Sequence, residues 1–118
     1  MTAKPKTPKM PKPVERTVWG RGQTQRLSAS YEVETRIDGI KRDFRIRISI
    51  SADSSYPGQS TATLSVFRTA TLDWNPVAYV AGTEPAWPSF SSGPDTAALA
   101  TIEKILWKRG MWALGVTA

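Results

Sequence analysis

Between Leu27 and Ile50 apolar and polar residues alternate almost without interruption. Leu27, Ala29, Tyr31, Val33 and Ile37 are interleaved with Ser28, Ser30, Glu32, Glu34 and Arg36. After Asp38-Gly39, the residues Ile40, Phe44, Ile46, Ile48 and Ile50 are interleaved with Lys41, Asp43, Arg45, Arg47 and Ser49. A period of two marks a strand with one dry face. Asp-Gly between two such runs predicts a tight hairpin, because Gly accepts the positive φ that the turn needs. A turn at residues 38–39 opposes Val33 to Phe44, Tyr31 to Ile46, Ala29 to Ile48 and Leu27 to Ile50, all apolar pairs. The other face opposes Glu32 to Arg45 and Ser30 to Arg47, and a slip of one residue would destroy both patterns. The charges on this outer face predict a cross-strand ion-pair lattice.

A third strand is predicted from about Ser60 to Leu72, with Ala62, Leu64, Val66 and Ala70 inward and Thr61, Thr63, Ser65 and Thr69 outward. Asp73-Trp74-Asn75-Pro76 reads as a turn, Val77 to Ala81 as a short fourth strand, and Gly82 to Gly93 as a loop carrying Trp87 and Phe90. The period then changes. Ala98, Leu99, Ile102, Ile105 and Leu106 fall on one helical stripe. Ser92 and Asp95 have capping-box spacing, and Gly110 reads as the C-cap. The apolar end Met111 to Leu114 packs back on the core or meets a partner. The expected architecture is α+β: a four-stranded antiparallel meander, β-β-β-β-α, with the C-terminal helix on one sheet face.

Charge changes this picture at one end. The chain has 118 residues and a formal net charge of +6. The whole excess lies in residues 1–26, which hold Lys4, Lys6, Lys9, Lys12, Arg16, Arg21 and Arg26 against Glu15 alone. The run K-P-K-T-P-K-M-P-K-P over residues 4–13 can neither form a helix nor bury a core, so it reads as an extended, disordered arm. Trp19-Gly20-Arg21-Gly22 reads as the joint. The expected division is therefore a flexible basic arm over residues 1–26 and one domain over residues 27–118.

Composition excludes several chemistries. Cys and His are both absent, which removes thiol nucleophiles, Cys/His zinc sites and imidazole acid–base catalysis. The only paired carboxylates are Glu32 and Glu34, which share a strand face with Arg45 and read as structural. No cofactor, metal or enzymatic activity is expected. No apolar run approaches the roughly 18 residues of a membrane span, so the expectation is a cytoplasmic protein without a membrane partner.

A detachable cationic arm on a neutral body meets a polyanion. The expected function is a small non-enzymatic nucleic-acid-binding protein of low sequence specificity. Lys4, Lys6, Lys9, Lys12, Arg16, Arg21 and Arg26 would contact phosphates, joined by Arg45 and Arg47 on the sheet. Trp19, and Trp74 and Trp87 in their expected loops, would stack on bases. In architecture alone, four antiparallel strands followed by a helix resembles the unit of Whirly and Pur-type single-strand binders. That likeness implies a nucleic-acid role and transfers no residues. The alternative is an adaptor, inhibitor or component of a larger nucleoprotein assembly. In that case the arm and the apolar C-terminus dock on a partner, or the C-terminal helix pairs two copies.

Overall fold

The computed structural model describes residues 9–21, 24–37, 40–53, 57–68, 71–89 and 95–116. Five strands, β1 (Glu15–Arg21), β2 (Thr24–Ile37), β3 (Ile40–Asp53), β4 (Thr61–Arg68) and β5 (Asp73–Ala81), form one antiparallel sheet in chain order. A single α-helix among the described residues, α1 (Thr96–Leu114), follows them. The α+β class is as expected, but the meander has five strands where four were expected.

The β2–β3 hairpin has the register that the alternation predicts, with Val33 opposite Phe44, Tyr31 opposite Ile46, Ala29 opposite Ile48 and Leu27 opposite Ile50. The turn residues 38–39 lie outside the described residues. Leu27, Ala29, Ile46, Ile48, Ile50, Ala62, Leu64 and Val80 are all at most 2% exposed, on the face that α1 covers. Burying a Leu or Ile of this kind contributes about 1.5–3 kcal/mol each.

The extra strand comes from the segment read as a basic arm. Glu15–Arg21 pairs along β2, with Val18 opposite Leu27 and Trp19 opposite Arg26. Charge hid a short strand signal: Thr17-Val18-Trp19 is a β-branched and aromatic triplet, and the alternation of β2 starts at Thr24, before Leu27. The segment expected as a disordered arm therefore contributes a strand to the sheet, from Glu15. Residues 1–8, with Lys4 and Lys6, lie outside the described residues. From Lys9 onward the chain runs against the body, with Met10 packed on the core and the Val14 N–H donating to the Ser30 carbonyl at 2.7 Å.

The second correction concerns Asp73–Pro76, which opens β5 and is not the turn expected there. A register shift between Leu64 and Ser65 lets Pro76 sit opposite Ser65. Proline has no N–H for a ladder, and an edge strand at a bulge is where a sheet tolerates it.

The third correction is at the helix. Asp95 caps the N-terminus by accepting from the Ala98 N–H at 3.0 Å, while its own N–H donates to the Gln25 side chain at 2.7 Å. Gln25, placed in the arm by the charge pattern, is a buried anchor between β2 and the helix. Gly110 does not end the helix. Gly115 does, at φ 72°, with its N–H on the Trp112 carbonyl and the Val116 N–H on the Met111 carbonyl. That is the 5→2 and 6→1 pattern of a Schellman turn, and Met111 and Val116 both join the core.

Gly110 instead marks the close approach of helix and sheet. A Cβ there would meet both Leu64 methyls at 2.8 Å. In an open helix Gly→Ala stabilises by about 1 kcal/mol. Here Gly110→Ala is expected to destabilise by about 1–2 kcal/mol, because Leu64 is fully buried and cannot swing away. A rise in the urea midpoint for this variant would show that the helix has room to move off the sheet.

Candidate nucleic-acid interface

A sheet with one helix has an uncovered face, and here that face carries the polar alternants. Trp19, Arg26, Ser28, Ser30, Glu32, Arg45, Arg47, Ser49, Thr63, Ser65, Phe67 and Trp74 alternate with the core residues along their strands. Among the described residues no element covers them. The centre of the face is a row of hydroxyls, Thr17, Ser28, Ser49 and Thr63 in successive strands.

One end is chemically distinct. Phe67 and Trp74 are opposite each other on β4 and β5, with ring centroids 5.5 Å apart in an edge-to-face arrangement. The Arg45 guanidinium lies over the Phe67 ring at 5.0 Å, and that of Arg47 lies over the Trp74 ring at 4.5 Å. Among the described residues neither arginine is in ion-pair contact with a carboxylate. Among the described residues the expected ion-pair lattice is thus reduced to a single long contact, Lys41 to Glu34 at 3.5 Å. The reason is relative strength. An exposed pair in water is worth little, whereas a weakly hydrated, planar guanidinium gains by stacking on an aromatic face. Each arginine still has edge N–H groups available.

Beside this cluster is a cleft of about 260 Å³ lined by Val14, Glu15, Ser30, Glu32, Arg45 and Trp74. Val14 is where the Lys/Pro segment joins β1, so the exposed Lys9 and Lys12 approach the sheet at the arginine–aromatic end. Trp19, half exposed beside Arg26, stands toward the other end. From Ser51, level with Arg26, to Arg45 is six residues of β3, roughly 20 Å at the usual strand rise.

Other expected contacts go elsewhere. Trp87 packs against the core instead of offering a ring to solvent. Arg21 ends β1, with its side chain outside the described set. Arg16 is on the helix side of β1, where its guanidinium meets Glu103 at 2.7 Å and 3.4 Å. Glu103 is 4% exposed and also accepts from the Tyr31 hydroxyl at 3.0 Å. Tyr31 in turn packs on Trp107, centroids 5.6 Å apart. This network fastens β1 and β2 to the helix and withdraws Arg16 from phosphate binding. Burial first, then the Glu103 carboxylate, push the Tyr31 hydroxyl pKa well up, and the hydrogen bond to Glu103 raises that of Arg16 further.

Sequence reasoning missed Glu103 and Phe67, though each had a signal. Glu103 is on the apolar stripe between Leu99 and Leu106, where a carboxylate needs a buried partner. Phe67 is one position past Val66 and therefore faces outward, an aromatic on a wet face.

Replacing Arg16 by Met leaves a buried carboxylate without its cation, which costs about 3–5 kcal/mol in a fully buried pair. Arg16 is partly exposed, so about 2–4 kcal/mol is expected in urea unfolding. Arg16→Met/Glu103→Leu should recover at least half of it. If the double variant is no better than the single one, the orphaned carboxylate is not the cause. The raised pKa of Tyr31 also sets an alkaline limit. Its stabilising contribution is complete below about pH 10, the ordinary tyrosine value, and fades as pH rises toward the folded-state pKa. In a spectrophotometric titration the Tyr31 phenolate should appear last, together with unfolding. Tyr31→Phe should delete that last step and no earlier one.

Comparison with family models, curated proteins and solved structures found no match.

Proposed function

We propose that this chain is a non-enzymatic nucleic-acid-binding protein that holds single strands on its open sheet face, with little sequence preference. The observation that carries the reading is the arginine–aromatic cluster. Arg45 and Arg47, in ion-pair contact with no carboxylate among the described residues, stack on Phe67 and Trp74 on an uncovered surface. Rings next to cations are how a strand is bound without base-edge readout: bases stack, and guanidinium edges reach phosphates. Lys9 and Lys12 approach from the same end, and Lys4 and Lys6 extend the charge along the chain. The hydroxyl row gives neutral hydrogen-bond partners across the middle. A duplex fits less well, since no helix or ribbon among the described residues projects from this face to enter a groove.

A second reading, docking on a larger assembly, is favoured by a different observation, the exposed Trp112 near the end of α1.

Fluorescence anisotropy with four labelled 20-mers, single- and double-stranded DNA and RNA, tests the first reading. The full chain is expected to prefer single strands. Its log affinity should fall with log salt at a slope of about −3 to −5. Trp74→Ala should weaken binding roughly ten- to a hundredfold, a stacked base being worth about 1–3 kcal/mol. Arg47→Ala should lower the salt slope by about one. Binding of no probe at low salt, or unchanged affinity in both variants, would sink the reading.

A further inference from the structure

A second concave surface lies where the outer edge of β5 meets the last turns of α1. It is a groove of about 750 Å³ lined chiefly by Val77, Tyr79, Ile105, Lys108, Trp112 and Ala113. Trp112 is 85% exposed. Trp112 has little freedom to turn inward. Met111 beside it is fully buried, and the Gly115 turn seals Val116 into the core four residues after Trp112. The helix is therefore fixed in rotation with Trp107 buried and Trp112 facing water, an arrangement that suits a partner.

The edge of β5 is itself closed. Arg109 donates to the Tyr79 carbonyl at 2.7 Å, Glu84 accepts from the Ala81 N–H at 2.7 Å, and the two side chains pair at 2.8 Å. Arg109, with the Ala81 N–H, holds the Glu84 carboxyl below the usual carboxylate range. The pair occupies outward-facing main-chain groups that a visiting strand would need, a guard against edge-to-edge pairing. Anything that docks here must do so through side chains.

Charge narrows the occupant. Lys104, Lys108 and Trp112 form one stripe at four-residue spacing along α1. The carboxylate near the groove, Glu84, is committed to Arg109. The rim is therefore cationic around an apolar floor. A second copy docked by a two-fold axis would oppose one cationic rim to another, and the Lys/Pro segment would meet like charge. A phosphate chain would leave Val77, Ile105 and Ala113 uncovered. We propose that the groove docks a short segment of a partner protein, with an aliphatic or aromatic anchor on Trp112 beside Val77 and Ile105, and acidic residues on Lys104 and Lys108. The groove shares β5 with the open face but lies on its helix side, away from Phe67 and Trp74.

The test uses the full chain and three labelled 15-residue peptides: a Leu/Phe anchor flanked by Asp and Glu, the same anchor flanked by Lys, and the acidic peptide with Ser at the anchor. Anisotropy should show the first binding at least tenfold tighter than either other. Trp112→Ala should weaken it at least tenfold, and Lys104→Glu/Lys108→Glu should invert the preference between acidic and basic flanks. Both changes are at exposed positions and should leave the circular dichroism spectrum and the affinity for the 20-mers unchanged. Three results would each overturn the proposal. One is equal binding, or none, by the acidic and basic peptides. Another is a dimer in sedimentation that Trp112→Ala dissolves, which would make a second copy the occupant. The third is displacement of the acidic peptide by the single-stranded 20-mer.

Discussion

One helix can cover only one face of a sheet, and the described chain has one α-helix for five strands. Most of the structure follows from that shortage. The covered face gathers the aliphatic alternants of β2, β3, β4 and β5 into a single core, closed by Leu99, Ile102, Leu106 and Met111 of α1. The uncovered face must be stable in water by itself, and the period of two supplies it with hydroxyls, charges and a few rings. A partner that binds there therefore does so without disturbing the core.

The two faces resolve charge in opposite ways. On the covered side a carboxylate on the apolar stripe, Glu103, is tolerated because Arg16 and Tyr31 converge on it from two neighbouring strands. Burial raises the cost of losing any member, so the network works as a latch between β1 and the helix. On the open side water screens ion pairs, and Arg45 and Arg47 settle on Phe67 and Trp74 instead of on Glu32. Arginine thus has a structural role at position 16 and an outward-facing one at positions 45 and 47.

Legibility along the chain tracks how local each signal is. The β2–β3 hairpin was legible to the residue, because a turn and two alternating runs determine register without help from elsewhere. The helix was legible from its stripe, but its end was not. Gly110 looks like a cap until Leu64, on another element, is placed against it. β1 was hidden because its strand signal is three residues long amid basic charge, and pairing with β2 is what stabilises it. Of the candidate site, Arg45, Arg47 and Trp74 were legible as outward or loop residues, but their union was not. Trp74 was expected in a turn and Phe67 was overlooked.

The residues by themselves determined the α+β class, the hairpin register and the absence of Cys and His chemistry, since these depend on near neighbours or on composition. Only the tertiary structure decided which arginine meets a carboxylate and which meets a ring, and where the helix must come close enough to demand glycine. Those outcomes depend on distances between strands far apart in sequence, such as the one that brings residue 16 to residue 103. A linear pattern carries faces, and only packing carries the pairs formed across them.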